Sequence, residues 1–297
     1  MSFDLKSYLL ERKLRIEEAL KSHWMPAKTQ DPAILHEAMH YSLFTDGKRV
    51  RPILTLASGE LLGLTEDDVM PIAASLEMIH VFSLIHDDLP AMDDDDLRRG
   101  QPTNHKVYGD AVAILAGDGL LAQAFLPLTT LDLTQFAAQN VLGVIRLIAE
   151  STGSLGMIGG QAIDMKSEGK TISLDRLKTL HRMKTGTLLK AAIMGPAVLS
   201  GADTKIKTAL ENYGDAIGLA FQIADDILDI EGGVEVGKDV GSDVARGKST
   251  YPSLMGMDGA KRERTRALET ALTALSIFDH RAEPLRAIAR YIVERKK

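Results

Sequence analysis

Apolar residues recur along this chain with a period near 3.6, not 2. Residues 34–44, 52–62, 72–89, 111–125, 140–151, 174–192 and 205–230 read as helices, and 268–278 and 284–294 predict two more. No segment alternates apolar with polar as a half-buried strand would, and no strand–helix–strand rhythm occurs. Proline and glycine fall between the periodic blocks, where they act as punctuation. The longest irregular segment is the glycine-rich stretch 232–247. A long loop inside a compact domain is usually functional or disordered, and this one follows a helix that ends in carboxylates. With no linker or low-complexity tract, the pattern predicts one all-α domain over 1–297. It is a large bundle of roughly ten helices, with its loops gathered at one end.

Composition narrows the function. A chain of 297 residues with 45% hydrophobic and 26% charged side chains is ordinary for a globular protein. The net charge of −6 argues against a nucleic-acid partner. An anionic ligand would therefore need local bases or metal ions. The absence of cysteine excludes disulfides, thiolate metal sites and a cysteine nucleophile. The first twenty residues mix acids and bases around Leu5, Leu9, Leu10 and Ile16, unlike a secretory signal. No apolar run reads as long enough to span a membrane, so the cytoplasm is the default expectation.

Two acidic clusters break the apolar pattern. In the first, Met78, Val81, Phe82, Ile85 and Leu89 form one stripe, with Glu77, His80, Leu84, Asp87 and Asp88 toward the other side. Two carboxylates at a helix C-terminus oppose the helix dipole, a penalty that a bound cation would reverse. Asp93 lies six positions beyond Asp87 and can approach it only if the helix ends or bulges near Pro90. The run Asp94 to Asp96 reads as a solvated face. In the second cluster, Gln222, Asp225, Asp226 and Asp229 occupy one helical stripe, opposite Ile223, Ile227 and Ile230. Asp225 and Asp229 would repel by roughly a few tenths of a kcal/mol. Hard divalent ions such as Mg²⁺ bridge carboxylates of this kind to substrate phosphates.

Basic residues flank both clusters. Arg98 and Arg99 follow the first, and guanidinium forks match phosphate oxygens. Gly47-Lys48-Arg49-Val50-Arg51-Pro52 precedes a helix whose free N–H groups suit an anion. Lys184-Thr185-Gly186 lies within a predicted helix, and glycine there costs about 1 kcal/mol relative to alanine. A break at that point would expose the Lys184 carbonyl. Lys238 and Lys248 lie in and after the glycine-rich loop and could close over phosphates.

Taken together, these motifs resemble the trans-prenyltransferase (polyprenyl synthase) family. The likeness runs from about Leu35 to Pro252 through Gly-Lys-Arg-Val-Arg-Pro, Asp87-Asp88 to Asp93 with Arg98-Arg99, Gly159-Gly160-Gln161, Lys184-Thr185, Phe221 to Asp229 and Gly247 to Pro252. The gap between Asp88 and Asp93 is similar to that of the bacterial short-chain subgroup. Asp46 departs from the pattern, since the family more often has glycine there. Asp tolerates positive φ, so only local loop geometry is put in doubt.

The resemblance implies an isoprenoid synthase-like bundle around a central cavity, working as a homodimer. It implies Mg²⁺, three ions per site, held by Asp87, Asp93 and Asp225, with Asp88 and Asp229 as further ligands or support. Arg98, Lys184, Lys238 and Lys248 would grip an allylic diphosphate. Lys48, Arg51, His80 and Arg99 would bind isopentenyl diphosphate without metal. Thr185, Gln222 and the Lys184 carbonyl would face a developing carbocation. The reaction expected is head-to-tail condensation of isopentenyl diphosphate with dimethylallyl or geranyl diphosphate. Phe82 lies five residues, ~7.5 Å, deeper along its helix than Asp87. In the bacterial members it resembles, an aromatic ring there floors the pocket, which implies a C15 product, with C20 as the alternative.

Several rival patterns are weaker. His36-Glu37-Ala38-Met39-His40 matches the zinc-protease HExxH pattern, but no third ligand or cleft strand accompanies it. Glu37-x-x-His40 and Glu77-x-x-His80 suggest a di-iron bundle, a reading that leaves both aspartate clusters idle. His86-Asp87 alone would suit a helical phosphohydrolase, which does not call for the second cluster. A terpene cyclase would carry a different second motif. A non-catalytic subunit of a hetero-oligomeric synthase would be expected to have lost site residues, and both sets are present.

Overall fold

Helix α4, Glu66–Asp87, is the axis of the molecule in the computed structural model, which describes residues 3–231 and 247–295. Thr65 caps its start: its hydroxyl accepts from Asp68 N–H, and the Asp68 carboxylate accepts from Thr65 N–H. Glu66, Asp67 and Asp68 complement the positive end of the helix dipole. Residues from Val69 to Ile85 are buried on almost every side, because α3 (Val50–Leu61), α6 (Asp110–Gln123) and α11 (Thr187–Leu199) pack around them. Helix α12, Thr204–Glu231, runs against α11 and against α14 (Met257–Ala274). Helices α1 (Leu5–Ala19), α2 (Ala33–Leu43) and α15 (Glu283–Glu294) complete the sides of the bundle.

The predicted turn near Pro90 is present. Helix α4 ends at Asp87, and Asp93 N–H donates to the Asp87 carbonyl at 2.8 Å, folding the chain back on the helix end. The chain then forms a short antiparallel ribbon, β1 (Leu97–Arg98) with β2 (Gln101–Pro102). The all-α expectation holds: two residues per strand add no layer to the bundle and are too few to show alternation. Short helices α5 (Asn104–Tyr108) and α7 (Phe125–Leu128) flank α6.

Three other expectations change. The single helix over 174–192 is α10 (Leu174–His181), a π-turn at Arg182–Gly186, and then α11. Gly186 therefore widens the helix rather than breaking it, and Thr187 N–H donates to the Arg182 carbonyl. Helix α8, Ala138–Thr152, was legible, but α9, Met157–Ser167, was not, because its glycines blur the period. The helix expected at 268 begins at Met257, just after the short α13, Tyr251–Met255.

Three stretches have the length and apolarity to cross a bilayer, contrary to the sequence expectation: Glu66–Asp87, Asp110–Leu128 and Ala138–Ser167. For α4 the reason is burial in the bundle, where 78% of its most apolar window lies inside. The other two are each 39% buried and leave Leu115, Leu142 and Leu155 exposed.

Candidate active site

The α4 end and its turn supply Asp87 and Asp93, while α12 supplies Asp225 and Asp226, and all four line one cavity of about 1430 Å³. Burial holds the Asp87 carboxyl above its ordinary pKa, with Asp93 and Asp88 adding to the effect and Lys184 opposing it. Bases reach across the cavity. Lys184 Nζ lies 2.6 Å from Asp164 Oδ2, and Lys248 Nζ lies 3.6 Å from the same oxygen and 3.5 Å from Asp93 Oδ1. Burial works against the charge of Asp164, yet Lys184 and Lys248 outweigh it and hold the carboxyl below its usual range.

The predicted acidic residues divide. Asp88 is not among the cavity-lining residues: it is buried at 3% exposure, and Arg98 Nε donates to both its oxygens at 2.8 Å. Arg98 does line the cavity, so Asp88 serves to hold that guanidinium. Asp229 also stands outside the lining. Of the acidic run, Asp94 and Asp96 are exposed, but Asp95 is half-buried, 3.5 Å from Arg98.

Arg51 and His80 come together in the cavity wall, from the first turn of α3 and from mid-α4. Burial lowers the Arg51 pKa to about 10, still well above neutrality. Burial and then Arg51 keep the His80 imidazole far below its ordinary pKa, so it is neutral. Lys48 is exposed, and neither it nor Arg99 lines the cavity. Arg99 lays its guanidinium against Gly47. Asp46 does not take positive φ; Arg49 does, at φ 50, and Asp46 pairs instead with Lys13. Lys238 lies outside the described residues.

Lys184, Thr185 and Gln222 line the cavity together, with the Thr185 hydroxyl donating to Gln222 Oε1 at 3.0 Å. Glycines allow this convergence. A Cβ on Gly160 would lie 2.2 Å from Lys184 N, and one on Gly218 would lie 3.1 Å from Gly186 Cα. Phe82 also lines the cavity, its ring edge-on to His86 at 5.0 Å between centroids.

With the site in view, the comparisons with known proteins are decisive. A family model described as Polyprenyl synthetase matches residues 32–283. The chain belongs to the polyprenyl synthetase family. It is a short-chain trans-prenyl diphosphate synthase, a prenyltransferase. It is 44% identical to a farnesyl diphosphate synthase of Geobacillus stearothermophilus, over 98% of each chain. It is 45% identical to a geranylgeranyl diphosphate synthase of Cyanophora paradoxa, over 99% of this chain and 97% of that one. The apo crystal structure of an FPP/GFPP synthase from Zymomonas mobilis superposes with a TM-score of 0.86 at 36% identity, covering 97% of this chain and 98% of that chain.

Sequence reasoning missed several parts of this synthase site. Asp164 sits in the helix that the period does not reveal, three residues after the Gly159-Gly160-Gln161 motif. Asp226 is legible as a member of the second cluster, but its contact is not: it accepts from Tyr251 N–H at 2.8 Å and so fixes the segment that carries Lys248. Arg295 pairs with Asp225, its guanidinium 4.2 Å from the Phe221 ring centroid. Nothing in the sequence signals that pair. The rival motifs are otherwise engaged. His36 Nδ1 and His40 Nε2 lie 2.9 and 2.7 Å from the Gln30 and Pro26 carbonyls, and Glu77 pairs with Arg49.

Proposed function

We propose that this synthase makes farnesyl diphosphate, C15, by condensing isopentenyl diphosphate with dimethylallyl and then geranyl diphosphate. The observation that carries the reading is Phe82. It stands in the cavity wall five residues, about 1.4 helical turns, deeper than Asp87, 6% exposed, with its ring braced by His86. His86 in turn abuts α6 at Gly117, where a Cβ would meet its Nε2 at 2.2 Å. A ring held this way leaves a growing chain little room to extend along α4.

Asp87, Asp93 and Asp225 would hold Mg²⁺. Among the described residues no three acidic or imidazole side chains are grouped tightly enough to hold an ion as they stand. The all-oxygen donor set, presented to one cavity from the end of α4, its turn and α12, nonetheless suits this cation, and so does the crowding of Asp87 by Asp93 and Asp88. Bound there, it would stabilise negative charge on the departing diphosphate. Lys184, Lys248 and Arg98 carry positive charge to the same oxygens. The C1–O bond of the allylic substrate breaks, and the isopentenyl double bond supplies the electrons of the new carbon–carbon bond. The proton then lost from the isopentenyl unit goes to the released diphosphate. Thr185 and Gln222 present oxygens toward the cation, and neutral His80 with cationic Arg51 receives the isopentenyl diphosphate. The apolar walls exclude water, which would otherwise quench the cation.

The test is one incubation with dimethylallyl and isopentenyl diphosphates and Mg²⁺, followed by chromatography of the products. The wild type is expected to yield C15, and Phe82→Ser to yield longer chains. A C20 product from the wild type, or an unchanged length from Phe82→Ser, would reduce Phe82 to core packing.

We also propose a homodimer, supported by the apolar residues that α6 and α8 leave exposed: Ile114 and Leu115 on one, Leu142 on the other.

A further inference from the structure

A phenylalanine at the floor of a cavity stops a growing chain only if its ring stays where it is. Phe82 has no polar atom with which to anchor itself, and its ring can turn about two side-chain bonds. Its neighbour one turn on along α4 is His86, on the same face of the helix. The two rings meet edge-on, at 79° with 5.0 Å between centroids, an arrangement that aromatic pairs favour.

His86 is fixed in turn by a different helix. Its Nε2 lies 3.1 Å from the Ile114 carbonyl of α6. A carbonyl can only accept, so Nε2 is the ring nitrogen that carries the proton in this contact. The Asp118 carboxylate stands 3.8 Å from the same nitrogen. Between these two, Gly117 turns bare backbone to the ring. A Cβ there would lie 2.2 Å from Nε2 and 2.4 Å from Cδ2. Residues 114, 117 and 118 share one face of α6, so together they form a socket that the missing side chain at 117 keeps open. Leu121, one turn further along that face, lines the same cavity as Phe82. An imidazole suits this position because it offers a polar tip to α6 and an aromatic body to Phe82.

We propose that His86 is a positioning residue for product length: keyed into α6 at Gly117, it fixes the Phe82 ring, so the α4–α6 pair sets where the growing chain stops. The inference rests on the reading, given above, of Phe82 as the pocket floor. It adds two determinants of length, His86 and Gly117, one of them on another helix. His86 also adjoins Asp87. A residue that merely steadied Asp87 would change rate and Mg²⁺ requirement but not product length.

Product chromatography tests this, with the rate, the half-saturating Mg²⁺ concentration and the melting temperature measured alongside. His86→Ala leaves Phe82 in place and frees its ring. It is expected to raise the C20-to-C15 ratio about threefold to tenfold, the factor that goes with losing one edge-on ring pair. Gly117→Ala fills the socket and is expected to change the same ratio by displacing the imidazole. In the His86→Ala background it should then change nothing further, because the two residues act as one unit. If Gly117→Ala is not recovered folded alone, its recovery in the His86→Ala background supports the keyed contact, and failure in both backgrounds overturns it. Independent, additive effects of the two substitutions overturn it as well. A ratio that His86→Ala leaves unchanged, whatever happens to rate, Mg²⁺ requirement or melting temperature, makes His86 a structural residue and the proposal falls. Phe82→Ser separates the two layers. If it does not lengthen the product, the reading of the floor has failed. If it does and His86→Ala does not, only the role of His86 has failed.

Discussion

His181 shows how a single side chain is tuned by its surroundings. It is half of a ring contact with Tyr251 at 5.5 Å, its Nδ1 is buried without a partner, and Asp164 and Lys184 face it. Burial brings its pKa down to about 4; Asp164 resists that fall and Lys184 adds to it. In the unfolded chain an imidazole titrates near ~6.5. Above that value it is neutral in both states and adds no pH dependence. As pH falls from about 6.5 toward 4, the unfolded chain takes up a proton that the fold refuses, so stability falls. Thermal melts at pH 7 and pH 5 should therefore show a smaller drop for His181→Asn than for the wild type; equal drops would exclude this source. His80, buried and neutral in the same way, would keep the variant from being flat. At this scale the sequence was partly legible. It singled out Asp87, Lys184 and Gln222 by type and spacing. It could not separate Asp88, spent on Arg98, from Asp87, which lines the cavity, because adjacent residues on one helix differ only in what lies opposite them.

At the scale of elements, glycine decides how closely the helices approach. Gly160 on α9 rests against the backbone of the π-turn at Lys184. No flexible side chain can yield there. Gly160→Ala should cost about 1–3 kcal/mol as an overpacked contact, read from the denaturation midpoint. It should also weaken allylic substrate, since Lys184 moves with its backbone. Unaltered stability would mean that α9 is free to shift. The π-turn itself shows the limit of periodic reading. A wider turn still places apolar residues at near-helical spacing, so 174–192 reads as one helix, and only the hydrogen bond from Thr187 to Arg182 marks the extra residue. The α4 end was legible for the converse reason: Pro90 and six-residue spacing leave few geometries that join Asp87 and Asp93.

The whole molecule raises the question of its exposed apolar surface. Helices α6 and α8 carry more apolar area than their burial accounts for. If that face is a homodimer contact, light scattering at micromolar concentration should give twice the 32.3 kDa chain mass. Leu115→Glu together with Leu142→Glu should shift it toward the monomer. A monomeric wild type would sink the proposal. The arrangement of charge also becomes visible only at this scale. A chain of net charge −6 builds a cavity with Arg51, Arg98, Lys184 and Lys248 in its walls, which composition alone would not lead one to expect.

The sequence by itself determined the helical class, the two acidic stripes and the bases beside them, because each follows from residue type and spacing within one segment. Its motifs were enough for the family resemblance that the comparisons then established. The tertiary structure decided which of those charges meet. Asp164 joins Lys184 to Lys248, Asp226 clasps Tyr251, Asp88 holds Arg98, and Glu77 pairs with Arg49. Contacts between helices far apart in the chain leave no periodic trace, since they depend on which faces the packed bundle turns toward one another.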